Sequence, residues 1–322
     1  MRMEAYHWVV VGAGPTGIAT VGLLLDAGVD GRRIGWIDPE FGVGDFGASW
    51  RHVMSNTPVE SFLKFYRASA ALRFDSERPP FFIEKLPAQD QCPLLIAAEP
   101  LHWMTGHLKS RVQPIPDRAA RLSPNDRQWQ VTLASGQQVL AAKVVLAIGG
   151  QPKGLSFADL PEIPLTVALH PGRLREQLHE TDRLVVFGDG ESARSVLRNV
   201  AAAKPERVFH FYRSASAVER HLDPDDLVSV RSVPMTPSHL LATIPQCTKA
   251  IYAIGFRRRH VDIDGLPADF GYDEDTGVIA PGIFGAGIAF PEIRLHEMGH
   301  ARHPVAALWP TMKRLQRQLP SW

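Results

Sequence analysis

The chain has 322 residues, of which 45% are hydrophobic and 21% charged, a composition typical of a globular protein with one large or two interleaved domains. The formal net charge is +1 and no long run of one sign occurs, so neither a nucleic-acid nor a membrane partner is expected. The two cysteines, Cys92 and Cys247, form no CxxC, which excludes a locally encoded dithiol centre or cysteine-based zinc site.

The first predicted element is a buried parallel strand, because residues 7–11 form a continuous apolar run. The loop GAGPTG follows at residues 12–17, and the apolar spacing after it predicts a helix. A second strand ends at Asp38, about 20 residues beyond the loop, where a carboxylate holds ribose hydroxyls in dinucleotide-binding units. In this GxGxxG pattern the first glycine permits a tight turn, the second lets backbone approach a pyrophosphate, and the third packs helix on strand.

The middle of the chain contains a second unit of the same form. Residues 113–142 are predicted to form short antiparallel strands, and residues 143–154 form an apolar strand that closes on two glycines. Residues 182–214 again follow the order strand, glycine turn, helix and strand, with GDGESA at 188–193 fitting the GxGxxG/A form. Two such units imply two dinucleotides, or one dinucleotide and a degenerate site.

The charges of this second unit point in two directions. Arg213 and Ser214 stand where an NAD-binding unit would place an acid, and a guanidinium suits a 2′-phosphate, which favours NADPH over NADH. Asp189 and Glu191, however, lie inside the glycine loop beside the expected pyrophosphate. Like charges are costly there unless the carboxylates turn outward or pair, for instance with Arg194. The sequence therefore leaves open whether this site is used.

Three further segments complete the chain. Residues 249–260 repeat the strand that closes on glycine, and residues 277–290 form a strand that runs into Gly285 and Gly287. An amphipathic helix is predicted over residues 303–319, with a kink at Pro310.

With these motifs the chain resembles flavoproteins with two dinucleotide-binding domains, the pyridine nucleotide-disulfide oxidoreductases and the flavin-containing monooxygenases. The resemblance spans nearly the whole chain and implies an α/β fold. A Rossmann-like FAD-binding domain, residues 1–151 and 252–322, would contain an inserted, smaller Rossmann-like NAD(P)H-binding domain at 152–251. It rests on the motifs GAGPTG, LAIGGQP, GDGESA, YAIGF and GIFGAGIAFPE. The same resemblance implies that the last helix points at the flavin.

One segment resembles the monooxygenase branch in particular. In GASWRHVMSNTPVESFLKF, residues 47–65, a Gly-x-x-Trp turn and a Ser-Asn-Thr segment match parts that lie against the flavin in that branch. His170 holds the position of the branch's histidine signature, although the leading Phe-x-Gly is absent. Because no dithiol can receive electrons, this resemblance implies that NADPH reduces FAD and that oxygen then reacts to give a flavin hydroperoxide. That species would hydroxylate a small nucleophilic substrate.

Three other functions stay open. The first is an NAD(P)H-dependent flavin reductase of a disulfide, a quinone or a partner protein. The second is a non-catalytic flavin-binding protein with a degenerate NAD(P) site. The third is a zinc protease, because HEMGH at 296–300 matches HExxH; against it, no Asp or Glu follows Glu297 to complete a ligand set. These histidines are otherwise expected to be a solvent-facing or pocket-lining cluster, or a proton shuttle near the flavin.

The predicted site follows from these motifs. No catalytic residue is identified beyond the candidates His296, His300 and Asn56, and no metal site is predicted. Expected partners are a small-molecule substrate and molecular oxygen, the expected location is the cytoplasm, and the sequence does not determine the oligomeric state. The candidate cofactor-binding residues are Gly12, Gly14, Pro15, Thr16, Gly17, Asp38, Pro39, Glu40, Ser49, Trp50, Asn56, Thr57, Ala119, Ala147, Gly149, Gly188, Gly190, Glu191, Ser192, Ala193, Arg213, Ser214, Gly255, Gly285 and Ala286.

Overall fold

The computed structural model describes residues 4–76, 78–155, 160–213, 230–295, 302–305 and 307–322. The helices are α1 Pro15–Asp26, α2 Gly44–Gly47, α3 Val59–Arg67, α4 Leu94–Lys109, α5 Leu165–Ala168, α6 Pro171–Glu176, α7 Glu191–Ala203, α8 Pro237–Thr243 and α9 Leu308–Gln318. The strands are β1 Glu4–Val11, β2 Ile34–Ile37, β3 Gln113–Ile115, β4 Ala119–Asn125, β5 Gln128–Leu133, β6 Gln138–Leu146, β7 Gly150–Pro152, β8 Arg183–Phe187, β9 Arg207–Tyr212, β10 Val230–Pro234, β11 Lys249–Tyr252, β12 Phe256–Arg258, β13 Asp262–Ile263, β14 Val278–Ala280, β15 Ile283–Gly285, β16 Glu292–Leu295 and β17 Arg302–Val305.

The chain divides into two compact units, and the parallel strands and intervening helices of each confirm the predicted α/β class with Rossmann-like sheets. The first unit runs to Gly150 and resumes at Arg258, and the second is Gln151–Arg257. The return boundary lies later than the 251/252 boundary expected from the sequence. The last residue of β11, Tyr252, lies beyond the expected boundary and pairs with Phe187 of β8 in the sheet of the second unit.

The sheet of the first unit has the order β13-β4-β5-β6-β1-β2-β3. Strands β6, β1, β2 and β3 are parallel neighbours, and β15 joins the last residues of β6, also in parallel. Parallel strands have their carboxyl ends at one edge of the sheet, where ligands bind in folds of this kind. The end of β1, the end of β6 and the turn after β15 therefore meet at one place.

The core of the first unit follows from the alternation of strand residues. Trp8 and Val10 of β1 face one cluster of buried side chains, to which α1, α3, α4 and α9 also contribute. Val9 and Val11 face a second cluster on the other side, with β4, β5 and β6. Since both faces of β1 are buried, the strand reads as a continuous apolar run rather than an alternating one.

The second unit has a parallel sheet of order β10-β9-β8-β11, with α7 directly after β8. Its buried core includes Val185, Phe187, Phe209 and Phe211. Within the described ranges, no helix combines the length and apolarity that crossing a bilayer requires.

The predicted helix 303–319 is wrong at its start. Residues 302–305 form β17, which pairs antiparallel with β16, and α9 begins at Leu308. Pro310 therefore lies in the first turn of α9, where no hydrogen bond from its nitrogen is required, and the expected kink has no cause.

Candidate functional site

The glycine loop after β1 is held by backbone contacts that demand its first and third glycines. Gly12 has φ +106° and its amide donates to the carbonyl of Ile37 at 2.8 Å. A Cβ built there would lie 2.4 Å from the carbonyl oxygen of Ala147, and one at Gly17 would lie 1.9 Å from that of Gly12. These two glycines serve the close approach of β1, β6 and α1, independently of any ligand.

The second glycine of the loop has a different environment. Gly14 is the N-cap of α1, and the nearest described atom to a Cβ built there is the Val43 carbonyl oxygen, at 3.9 Å. No side chain of the described residues caps α1, and its first turn carries no acidic residue. Open space beside uncapped amides at the positive end of a helix dipole suits an anionic group. We call Gly14 and the uncapped start of α1 the first cradle, and its residues fit the pyrophosphate of FAD.

The Asp38 side chain joins the glycine loop to the end of β2 through hydrogen bonds to backbone N–H groups. Its Oδ2 accepts the Ala13 N–H at 2.7 Å, and its Oδ1 accepts the N–H groups of Glu40 at 3.0 Å and Phe41 at 2.6 Å. These bonds hold Phe41 in the left-handed region, at φ +53°. A carboxylate has about four lone-pair sites, so Asp38 keeps room for one more donor. The assignment of its carboxylate to a ribose stays a prediction, with the exposed Glu40 next to it.

The turn after β15 closes over the start of α1. Ala286 donates its N–H to the Leu146 carbonyl at 3.1 Å. Gly287 has φ +77°, and a Cβ there would lie 2.3 Å from Thr16 Oγ1. The structure thus brings the predicted residues Thr16 and Ala286 together, along with Gly287, which the sequence prediction missed. The second glycine of the GAGIAF turn was the signal for it.

The Ser-Asn-Thr segment is fixed from within. The Ser55 hydroxyl donates to the Thr57 carbonyl at 2.7 Å and accepts the Cys92 N–H at 3.3 Å. Thr57 Oγ1 lies 3.2 Å from Asn56 Oδ1, and the Asn56 side chain is exposed. Trp50 is half-buried and donates its backbone N–H to the Asp45 carbonyl at 2.9 Å. These hydrogen bonds fix the segment and leave the Asn56 amide at the surface, and its contact with a cofactor stays a prediction.

The second unit repeats the loop of the first. Gly188 has φ +132°, its amide donates to the Phe211 carbonyl at 3.0 Å, and a Cβ there would lie 2.2 Å from the Ala253 carbonyl oxygen. Gly190 is the N-cap of α7, and no described atom lies within 4 Å of a Cβ built there. The open space at the uncapped start of α7 fits a dinucleotide pyrophosphate as in the first unit, but the first turn of α7 carries the acidic Glu191, which α1 lacks.

The two carboxylates of this second loop have cationic neighbours. Asp189 Oδ2 accepts the Arg213 N–H at 3.2 Å, and its Oδ1 lies 3.9 Å from the Arg213 guanidinium. Glu191 lies 3.9 Å from Arg194, the partner proposed from the sequence. Arg213 is 73% exposed, so its ion pair contributes less than about 1 kcal/mol. The guanidinium can therefore turn to a phosphate at little cost.

The remaining candidates divide into described and undescribed residues. Ala119 is buried at the start of β4, in the same cluster as Val11 and Ile37. Gly149 and Gly255 have φ values of +68° and +91° and mark the strand ends after β6 and β11. Ser214, His296 and His300 lie outside the described residues. Where the structure describes the chain, no three His, Cys, Asp or Glu side chains are grouped so that they could hold a metal ion.

Comparison with known proteins finds similar sequences and folds among flavoproteins. Residues 9–151 match a family model described as FAD-NAD(P)-binding. The monooxygenase AgnR1 of Paecilomyces divaricatus is 28% identical over 383 aligned positions, which cover 98% of this chain and 97% of that protein. A flavin-containing monooxygenase from Stenotrophomonas maltophilia has a TM-score of 0.60 at 18% identity, with 99% of each chain covered. The bacillithiol disulfide reductase Bdr of Staphylococcus aureus has a TM-score of 0.62 at 12% identity, over 99% of this chain and 100% of that one.

These findings confirm the predicted FAD/NAD(P)-binding fold, shared by flavin monooxygenases and disulfide oxidoreductases, and the predicted class, an FAD-dependent oxidoreductase. At these identities the two solved structures establish the fold alone. The nucleotide used, the substrate and the role of each site residue stay predictions.

Proposed function

We propose that this FAD-dependent oxidoreductase uses NADPH and molecular oxygen to hydroxylate a small nucleophilic substrate. One oxygen atom goes to the substrate and the other leaves as water, with NADPH as the two-electron donor. The observation that carries the proposal is the pair of glycine loops, each with an open second glycine at an uncapped helix start. Two cradles in one chain suit a flavin and a separate nicotinamide nucleotide.

Each cradle has residues with defined tasks in this proposal. Bound to the first unit, FAD supplies hydride acceptance and the transfer of electrons to oxygen. Gly14 and the first amides of α1 hold its pyrophosphate, and Asp38 with Glu40 holds its ribose. In the second unit, Gly190 and the start of α7 hold the NADPH pyrophosphate. The Arg213 guanidinium leaves the Asp189 carboxylate and binds the 2′-phosphate of NADPH.

The choice of oxygen as electron acceptor is supported by the cysteines. The whole chain contains two cysteines, Cys92 and Cys247, which form no CxxC motif and are both free thiols. Burial raises the pKa of the Cys92 thiol and raises that of Cys247 to about 11, which disfavours the reactive thiolate at both positions. The relative named as a monooxygenase and the Ser-Asn-Thr segment support the same route.

The proposal is tested by the visible spectrum of the purified protein, first with NADPH under anaerobic conditions and then with oxygen. We expect flavin bands that bleach with NADPH and return with oxygen, with one O2 consumed per NADPH when substrate is present. Bands that return only after a disulfide or quinone is added would identify a reductase. Bands that NADPH never bleaches would identify a flavin-binding protein with an inactive second site, and a colourless protein that FAD cannot reconstitute would refute the proposal.

The choice of NADPH over NADH is expected to depend on Arg213. Replacing it by alanine should raise the KM for NADPH about 10-fold or more, because a hydrogen bond to a charged group contributes about 1.5–3 kcal/mol. The KM for NADH should change less than twofold, since the Arg213 backbone N–H to Asp189 is kept. Arg207→Ala, at the other end of β9, is the matched control. Equal changes for both nucleotides would contradict 2′-phosphate recognition.

A further inference from the structure

A buried ring N–H holds the first glycine of the loop in the first unit. Trp36 of β2 has no exposed surface, and its Nε1 donates to the Gly12 carbonyl at 3.0 Å. That carbonyl oxygen also faces Gly17, where a Cβ would come within 1.9 Å of it. It is therefore enclosed between β2 and α1, and a buried carbonyl without a donor costs about 1–3 kcal/mol.

The second unit has the same contact in the same register. Gly12 pairs with Ile37 and Gly188 with Phe211, so the residues one position earlier, Trp36 and His210, are equivalent. His210 is 2% exposed, and its Nε2 lies 2.7 Å from the Gly188 carbonyl oxygen. In each unit, a ring on the second strand of the motif contacts the carbonyl of the first loop glycine: an indole in the first unit and an imidazole in the second.

The hydrogen on His210 can be assigned from its partners. A carbonyl oxygen only accepts, so Nε2 carries the hydrogen, while Nδ1 faces the Ser232 hydroxyl of β10 at 3.1 Å. Burial lowers the pKa of His210, and the Gly188 carbonyl and the Asp189 carboxylate act to raise it. Nε2–H is present in the neutral form and in the cation, so the donated hydrogen bond does not depend on protonation.

A histidine at this position is explained by its hydrogen bond to the loop rather than by packing in the core. Its strand neighbours Phe209 and Phe211 are buried aromatic residues, and an apolar ring would fill the same place without a polar group to satisfy. The peptide that joins Gly188 to Asp189 is planar, so fixing its carbonyl also fixes the Asp189 N–H and the direction of the loop. The Asp189 carboxylate then accepts the Arg213 N–H, as a second tie to the same strand end.

We propose that His210 is a positioning residue of the second nucleotide site, whose ring N–H keeps the Gly188 carbonyl turned inward so that the loop backbone is preformed for NADPH. The identification of this nucleotide as NADPH rests on the proposed function. Preforming a loop lowers the cost of ordering it on binding, so losing this bond weakens affinity without touching the reacting atoms.

The test uses the full FAD-loaded protein and compares His210→Phe with His210→Gln. Phenylalanine keeps a buried ring and removes the donor, while the glutamine amide can donate in its place. We expect His210→Phe to raise the Kd of NADPH, measured by calorimetry, and its KM about 10-fold, with kcat and FAD content unchanged. His210→Gln should stay within about threefold of the wild type.

Trp36→Phe is the matched control for the other loop, because it removes the ring N–H that donates to the Gly12 carbonyl. It should lower FAD retention and leave NADPH affinity unchanged. A His210→Phe protein with unaltered NADPH affinity, or a His210→Gln protein as weak as His210→Phe, would overturn the role of the hydrogen bond. If His210→Phe does not fold, His210→Asn, whose amide is shorter, replaces it against His210→Gln. A wild type that binds no NADPH would overturn the proposed function as well, which the spectrum detects separately.

Discussion

Gly14→Val is expected to weaken FAD binding at least 100-fold in a first unit that still folds. The space beside Gly14 is open, with the nearest described atom to a Cβ at 3.9 Å, and its φ of −71° suits any residue. The valine side chain would instead occupy the place where a pyrophosphate meets the start of α1. We expect the Kd of FAD to rise at least 100-fold, which corresponds to about 2.7 kcal/mol. Flavin absorbance of the purified protein and titration of the apoprotein with FAD measure it.

Two other glycines provide the controls for this experiment. Gly106 lies exposed in α4 with no described atom within 4 Å of a Cβ, so Gly106→Val should leave both FAD binding and stability nearly unchanged. Gly12→Ala should lower thermal stability, since its Cβ would collide with the Ala147 carbonyl. A Gly14→Val protein that binds FAD with the Kd of the wild type would place the flavin elsewhere in the chain.

Gly190→Val is expected to separate the two cofactors. Its φ of −105° is allowed for valine, and no described atom lies within 4 Å of a Cβ there. The variant should therefore fold and keep its FAD, while the KM for NADPH rises at least 100-fold because the side chain fills the second cradle. Anaerobic NADPH should no longer bleach the flavin, although dithionite, which needs no binding site, should bleach it fully.

The dithionite reaction is what makes this result interpretable, because it shows a flavin that is present and reducible. Gly190→Val reduced by NADPH at the wild-type rate and KM would contradict the assignment of the second unit to a nicotinamide nucleotide. If the variant lost its FAD as well as reduction of the flavin by NADPH, the result would instead indicate damage to the whole chain. Thermal unfolding followed by circular dichroism distinguishes that case.

Much of the architecture could be predicted because it depends on neighbours in sequence. An apolar run, three glycines at fixed spacing and an amphipathic stretch predict strand, loop and helix from local rules alone. The same rules failed at residues 302–305, where pairing with β16 overrode the helical pattern that follows. The expected return boundary also cut off the last residue of β11, Tyr252, which belongs to the second sheet through its pairing with Phe187 of β8.

The candidate site divides in the same way between what the sequence determined and what only the tertiary structure decided. From sequence come the two glycine loops, the acid after β2 and the basic residue after β9. Only the tertiary structure distinguishes Gly12, which the chain itself requires, from Gly14, which is open to a ligand. It also turns Asp189 towards Arg213 and places His210 on the Gly188 carbonyl. These contacts join atoms more than twenty positions apart, and close approach at such separation depends on how strands pair and helices pack, which local residue patterns do not encode.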